Sequence, residues 1–479
     1  MPLYAQYDYP DSAVVIGYTH FWAATGEMSG NRVSVRDTRG WIHVVFSYAM
    51  GLQQNDSSEI FYVYSTDNGI TWSEMMNVSR TDSQTSYEPT LAVDGQNNLH
   101  CVWKQCELNT LTFDLYYSMY DGISWSPSMN ITHQYCLNNV SHYPSLVVDS
   151  NDQLHLVYEA PINFFDIFYM CYNGMSWSEP LDISNVPWDA GFPCVAIDSS
   201  DNLHVVWRER IPNEPIMYTR YDGIAWTTPE EIASIPGKRA GYPCIVVNSQ
   251  DYPRIIWCGG TQSDSLNIYY TAFDGASWSS PLNLSNSAEE SSYNSLAVDS
   301  VDNLYIVWAE KTAATNYETY YRTYNGTTWS EITNITQDTA VSFCPKLGNP
   351  VRGSKVDLIW NNFDDPLPAE EIVYLGLSLT GITEKQSMGV KQKEPMLMVA
   401  PNPFSRFTNI ILSEIPNIEN TELVIFDVSG RFVERIHWRT IQAGDQQIIW
   451  QTKNLPAGIY FIRLEGGDYS IIRKIIKLK

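Results

Sequence analysis

Charged side chains recur at one place along this chain, just beyond an apolar run that closes on Trp or Tyr: Lys104, Glu159, Arg208, Glu209, Arg210, Glu310 and Lys311. A second group, Trp188, Asp189, Lys238 and Arg239, lies in the stretches between such runs. Glu159 and Asp189 are the carboxylates a glycosidase would draw on for its pair, although no spacing in the sequence demands that pairing. Trp188 is the candidate for an exposed stacking surface, because it stands apart from the positions where Trp otherwise repeats. Tyr143 and Tyr242 belong to a series, Tyr87, Tyr143, Phe192, Tyr242, Tyr293 and Phe343, that recurs just ahead of apolar runs. Packing between repeated units accounts for most of that series. The ligand-binding candidates are therefore Trp188, Asp189, Arg208, Arg210, Glu159, Lys104, Arg239, Tyr143 and Tyr242, with no catalytic residue assigned.

Other chemistry is weaker. His43, His100, His155 and His204 share one register in separate repeats, which sets them too far apart for one metal ion. The turns Asp149-Ser150-Asn151-Asp152, Asp198-Ser199-Ser200-Asp201 and Asp299-Ser300-Val301-Asp302 lack the dense oxygen spacing of a calcium loop and read as Asx turns. The eight cysteines form no C-x-x-C. Cys101, Cys171, Cys194 and Cys244 read as small buried apolar residues, while Cys106 and Cys136, in consecutive loops, leave room for a bridge. Sequons such as Asn77-Val78-Ser79 and Asn130-Ile131-Thr132 recur in one register and belong to the repeat rather than to glycosylation. No metal and no cofactor is expected.

The elements that position these residues follow a period of about fifty residues. Each copy has an apolar strand, a polar turn, and a second strand ending in a large aromatic, as in Val195-Ala196-Ile197-Asp198 to Leu203-His204-Val205-Val206-Trp207. A third strand runs into Asp-Gly or Asn-Gly in copies two to six, a dipeptide that accepts positive φ and closes a hairpin. A fourth strand then opens with Trp at 72, 125, 177, 226, 278 and 329. Eleven of the 16 Trp occupy repeat-equivalent positions, which marks them as packing between units.

Seven such copies are counted, the first and last divergent. A lone four-stranded meander cannot bury both faces, but copies stacked in a circle do. The fold class is therefore all-β: a seven-bladed β-propeller of four-stranded antiparallel blades over 1–381, followed by a small immunoglobulin-like β-sandwich. The last copy lacks its fourth strand, and an unpartnered strand near 13–18 is expected to supply it. On such a wheel the candidates above share one face around the channel mouth.

Charge restricts the partners. Residues 1–394 hold 46 of the 54 acidic and 19 of the 29 basic residues, a net charge of −27. A surface that negative repels a phosphate backbone, so nucleic acid is not expected as a partner. No apolar run reaches the ~20 residues of a membrane-spanning helix, and the unit is expected to act as a monomer. Met1-Pro2-Leu3-Tyr4 opens without the basic and apolar regions of a signal peptide, so a start upstream of Met1 is expected.

Ser65-Thr66-Asp67-Asn68-Gly69-Ile70-Thr71-Trp72 resembles the Asp-box, S-x-D-x-G-x-x-W, of BNR/sialidase-type propellers at every defined position. In that family the box is a structural turn, so the resemblance implies a fold and not a chemistry. Sialidases of the family have six blades and an R-I-P motif in the first. Here Arg210-Ile211-Pro212 falls in the fourth of seven copies, and sialidase activity is not implied.

Beyond a polar linker at 382–394 the repeat ends. Residues 395–479 resemble the type A C-terminal sorting domain of the type IX secretion system, through Ala400-Pro401-Asn402-Pro403-Phe404, Ser429-Gly430-Arg431, Pro456-Ala457-Gly458-Ile459-Tyr460 and the basic end from Lys474 to Lys477. The resemblance implies that Pro401, Asn402, Pro403, Gly430, Gly458, Tyr460, Lys474 and Lys477 carry the sorting motif, and that type IX machinery delivers the chain to the outer surface of a gram-negative bacterium. The functional expectation is a secreted, surface-attached propeller that binds glycan or protein without catalysis of its own. The alternative is a carbohydrate-active hydrolase or lyase, sialidase-like in fold, with its site at the channel mouth.

Overall fold

The computed structural model describes residues 13–19, 32–49, 58–81, 84–107, 112–132, 140–261, 265–312, 316–337, 341–349, 351, 355–363, 370–378, 396–400, 407–413, 422–428, 430–436, 446–452, 455–466 and 469–477. The linker at 382–394, Cys136, Pro401, Asn402 and Pro403 lie outside these residues. The chain divides into two compact units, Met1–Thr383 and Glu384–Lys479. Among the described residues there are strands and turns but no helix, and so none long and apolar enough to cross a membrane.

The first unit holds seven four-stranded antiparallel sheets. The fourth sheet is representative: Ala190–Ile197, Leu203–Glu209, Ile216–Tyr221 and Glu230–Ala233 pair in sequence order. Its second strand is buried almost throughout, because Leu203, Val205 and Trp207 pack toward one neighbouring sheet and Val206 toward the other. Trp103, Trp257, Trp308 and Trp360 are equally enclosed in their own sheets. The seventh sheet takes its fourth strand from Val14–Thr19, which pairs antiparallel with Glu370–Ser378.

Buried polar groups join the seventh sheet to the first. Arg36 donates from Nε and Nη2 to the two carboxylate oxygens of Asp357, each at 2.6 Å, and Tyr374 Oη donates to Asp357 at 2.8 Å. Both charged groups are buried, a geometry in which two parallel charge-assisted bonds offset desolvation. The turn at 65–72 packs on the same Tyr374. Asp67 caps the Thr71 N–H at 2.8 Å, Ser65 Oγ accepts the Gly69 N–H at 2.9 Å, and a Cβ on Gly69 would stand 2.2 Å from the Tyr374 ring.

Two further interlocks recur. In the turns between first and second strands, Asp152, Asp201, Asp251 and Asp302 adopt φ of 61° to 69° and accept the backbone N–H of Gly95, Ser150, Ser199 and Ser249 in the preceding sheet. Inside four sheets, a histidine bridges a tyrosine and an aspartate. His43, His100, His155 and His204 lie 2.7–2.9 Å from the hydroxyls of Tyr62, Tyr117, Tyr169 and Tyr218. Their other ring nitrogens lie 3.2–3.4 Å from Asp37, Asp94, Asp149 and Asp198. These histidines are therefore internal bracing in separate sheets.

The second unit pairs Met396–Ala400, Phe407–Ser413 and Gln446–Gln451 in one sheet, and Phe432–Ile436, Glu422–Asp427, Gly458–Gly466 and Tyr469–Lys477 in another. Leu397, Ile410 and Trp450 from the first sheet meet Leu423, Ile425, Tyr460, Ile462, Leu464 and Ile475 from the second in one core. Tyr460 Oη donates to the Pro456 carbonyl at 2.8 Å, and Lys477 is buried. Gly430 takes φ of 79° in the turn after Asp427.

Candidate functional site

The site is built on a bulge in the first strand. In sheets two to seven the pairing with the second strand slips by one residue, between Tyr87 and Thr90, His142 and Ser145, Gly191 and Cys194, Gly241 and Cys244, Ser292 and Ser295, and Phe343 and Lys346. The extra residue takes positive φ: Glu88, Tyr143, Phe192, Tyr242, Tyr293 and Cys344, at 51° to 58°. A bulge bends the strand and re-aims a side chain. In three successive sheets the re-aimed rings touch: Tyr143 to Phe192 at 4.8 Å and Phe192 to Tyr242 at 4.7 Å between ring centroids. Tyr87 and Phe343, which the sequence groups with this series, sit one residue earlier, and Glu88 and Cys344 occupy the place in their sheets.

Opposite each bulge stands one residue of the second strand. Tyr87 pairs with Lys104, His142 with Glu159 and Gly191 with Arg208, so these three candidates are equivalent positions in sheets two, three and four. Lys104 Nζ donates to Glu88 at 3.0 Å and to Nδ1 of His142 at 3.0 Å. Burial, with Lys104 adding to it, lowers the His142 pKa to about 4. Glu88 in turn accepts the Tyr143 N–H at 3.0 Å.

Glu159 is 4% exposed and accepts the Phe192 N–H at 3.0 Å. Burial raises its pKa to about 7, against the opposing pull of that N–H and of Arg210. A Cβ at Gly191 would stand 2.6 Å from Glu159 Oε2, so a larger residue there would push the carboxylate aside. Arg208 lies over the Phe192 ring at 4.6 Å and donates from Nη1 to Glu214 and to the Ala240 carbonyl, each at 3.3 Å. Its Nε is buried with no acceptor among the described residues, and burial lowers its pKa.

Beside Arg208 opens a cleft of about 510 Å³ that Tyr242, Arg239, Glu214, Glu290 and Lys311 help to line. That volume lies in the range of small-ligand sites. Arg239 is exposed and reaches Glu214 at 3.9 Å, so Glu214 is held between two guanidiniums. On the other side, Arg210 pairs with Asp189 at 3.6 Å, and Asp189 also accepts the Phe165 N–H at 3.1 Å. Trp188 is half-buried and donates Nε1 to Glu209 at 2.7 Å. The structure thus brings together Tyr143, Glu159, Arg208, Tyr242 and Arg239, with Lys104 on one flank and the Asp189–Arg210 pair on the other. Glu88, His142 and Glu214 belong to the group but escape sequence reasoning. A repeated signal marks the first two: Pro89, Pro144, Pro193, Pro243 and Pro345 follow the bulge residue in five sheets. Among the described residues no group of three or more His, Cys, Asp or Glu is placed to hold a metal ion.

Residues 398–478 match the family model described as the secretion system C-terminal sorting domain. No curated protein matches the chain. Among solved structures, a polysaccharide lyase, PL25 ulvan lyase bound to -[GlcA(1-4)Rha3S]-, is similar at 9% identity with a TM-score of 0.56, covering 74% of this chain and 94% of its own. A protein of unknown function from Dyadobacter fermentans aligns at 9% identity and TM-score 0.48 over 62% of this chain and 97% of its own. The intramolecular trans-sialidase from Ruminococcus gnavus, in complex with oseltamivir carboxylate, aligns at 12% and 0.44 over 76% and 96%. At such identities the first likeness speaks to fold alone: an all-β, propeller-like array of four-stranded antiparallel sheets. The tail is the firmer finding. It marks the chain as cargo of type IX secretion machinery, destined for the outside of a gram-negative cell.

Proposed function

We propose that the first unit is a seven-bladed β-propeller over 1–381, of the Asp-box type, that binds a glycan at the channel mouth and holds it at the cell surface. In this reading 382–394 is a linker and 395–479 an immunoglobulin-like sorting sandwich. Seven sheets joined through Arg36–Asp357 and the capped turn at 65–72 support the blade count and the Asp-box assignment.

The observation that carries the glycan reading is the arrangement of Arg208, Glu214 and Arg239 in one cleft beside the Tyr143–Phe192–Tyr242 rings. Sugar hydroxyls donate and accept at once, and alternating guanidinium and carboxylate groups answer both roles. The apolar faces of a pyranose ring suit an aromatic wall. Screening the purified protein against a glycan array, then titrating hits by calorimetry, tests this. Arg208→Gln or Tyr242→Ala should weaken binding about tenfold or more, the effect of losing a charged hydrogen bond or an aromatic contact. Binding to proteins but to no glycan would refute it.

One feature favours the second reading, a hydrolase or lyase. A carboxyl near pKa 7 is suited to general acid work at neutral pH. Turnover of reporter glycosides or polysaccharides that Glu159→Gln or Asp189→Asn abolishes would replace binding with catalysis.

A further inference from the structure

Just after the bulge, the first strands of neighbouring sheets come within side-chain reach of one another. Ser145 Oγ accepts the Val195 N–H at 3.2 Å, and Ser295 Oγ accepts the Leu347 N–H at 3.0 Å. Cys194 and Cys244 hold this same register in sheets four and five, as the residues that resume pairing, with Val206 and Ile256, after the slip. The Cys194 sulfur is hydrogen-bonded to the Cys244 thiol and to the Ile245 N–H, and the Cys244 sulfur to the Leu296 N–H. Both side chains are buried, and the structure holds both as thiols without a bridge between them.

Two cations act on this pair. Arg32 is anchored on the carbonyls of Val195 and Leu146 at 3.0 and 3.4 Å, and its charge favours the Cys194 thiolate. Lys346, 3% exposed, interacts electrostatically with both sulfurs. The hydrogen bond from Cys244, with Arg32 and the Ile245 N–H, pulls the Cys194 thiol below its ordinary pKa despite burial. The finished fold therefore holds the two sulfurs side by side across the fourth and fifth sheets, the juxtaposition that a bridge formed during folding would leave. The tail sends this chain out of the cytoplasm, into compartments where disulfides form and persist.

We propose that Cys194 and Cys244 are joined by a disulfide that staples the fourth sheet to the fifth. The oxidant is a donor disulfide of a periplasmic thiol oxidoreductase. The Cys194 thiolate attacks one donor sulfur and expels the other as a thiolate. The Cys244 thiolate then attacks the Cys194 sulfur of the mixed disulfide and expels the second donor sulfur. One S–S bond forms in the protein and one breaks in the donor, which gains two electrons and the two thiol protons. Because both sulfurs are covered in the finished unit, the exchange takes place before the sheets close on one another. The inference rests on the compartment and not on the glycan reading.

The test is a cysteine map of the full chain recovered from the cell exterior without reductant. The protein is denatured, alkylated, digested and read by mass spectrometry, before and after reduction. The expected result is a linked pair of peptides carrying Cys194 and Cys244, about 2 Da lighter than the two thiol peptides together and lost on reduction. In Cys194→Ser, Cys244 should alkylate fully without reduction. Full alkylation of both cysteines in the unreduced wild type overturns the proposal, as does a link from either one to a different cysteine. The map is made on the wild-type chain, so a variant that fails to fold does not weaken it.

Discussion

Glu159 is the group whose removal is most informative, because its burial and its contacts predict a stability change of defined sign. Its pKa is about 7 in the folded unit against 4.5 in the unfolded chain, and burial is the main cause. The folded state therefore holds this proton more tightly. Stability from this group is complete below the unfolded value and is lost as pH rises from 4.5 through about 7. The full loss is ~3 kcal/mol, at ~1.4 kcal/mol per tenfold change in proton affinity. With an unfolding entropy of ~2 cal/mol/K per residue over a unit of this size, that corresponds to ~4 °C in Tm. Glu159→Gln keeps the acceptor for the Phe192 N–H and stays neutral at every pH. Melting both proteins from about pH 5 to about pH 8.5 should show the variant losing less, with the gap opening by ~4 °C around neutrality. The difference between the proteins removes the contributions of other titrating groups common to both. Parallel curves would mean that Glu159 ionises as freely in the folded unit as in water, and the description of an enclosed acid would fail.

Four other outcomes follow from the same contacts. Asp357→Asn should lower Tm by ~4–6 °C in a thermal melt, since it leaves the buried Arg36 without its anion and such breaks cost ~3–5 kcal/mol. Gly69→Ala should cost far more than Gly122→Ala: both have φ near 90°, but only the first would drive a Cβ to 2.2 Å from Tyr374, and equal Tm losses would contradict this packing. Asp201→Ala removes the cap on Ser150 from the next sheet and should cost ~1–2 kcal/mol in chemical denaturation. His43 has its pKa lowered from 6.5 to about 4 by burial; the unfolded chain then takes up the proton first, so stability falls as pH drops from 6.5 toward 4, and His43→Gln should flatten the acid side of the pH–Tm curve by ~2 kcal/mol at about pH 5.

The four-stranded antiparallel sheets were legible because their signals are local. A Trp closing the second strand and an Asp-Gly or Asn-Gly turn after the third depend only on neighbours in sequence. The bulge was not legible, since a single extra residue changes which side chain takes the positive-φ position without changing composition. That is why Glu88 and Cys344, rather than Tyr87 and Phe343, occupy the shared position. The acidic turns read from sequence as Asx turns, and Asp149 and Asp198 do cap their own turns. The second acids, Asp152, Asp201 and Asp302, instead reach a sheet about fifty residues away, which no local pattern reveals. In the second unit, the run 423–426 is apolar on both sides, so alternation could not choose a face. Leu423 and Ile425 enter the core, while Val428, which the alternation groups with Val424 and Phe426, is 72% exposed.

What separates the positions around the bulge from the rest of the seven sheets is the breaking of the repeat there. The enclosed aromatics that close the second strands keep one character from sheet to sheet, and the His–Tyr–Asp braces recur in four of them, because every sheet meets the same packing problem. Opposite the bulge the residues are Lys104, Glu159, Arg208, Cys258, Ala309 and Asn361. Packing alone has no use for a cation, an acid and a second cation in three equivalent places, since burying each one costs desolvation that an apolar side chain would avoid. Each of the three is nonetheless held, by Glu88 and His142, by the Phe192 N–H, or by Glu214 and the Ala240 carbonyl. The repeat carries a charge at this place only in sheets two to four, and on the glycan reading proposed above those are the sheets that a ligand would lie across.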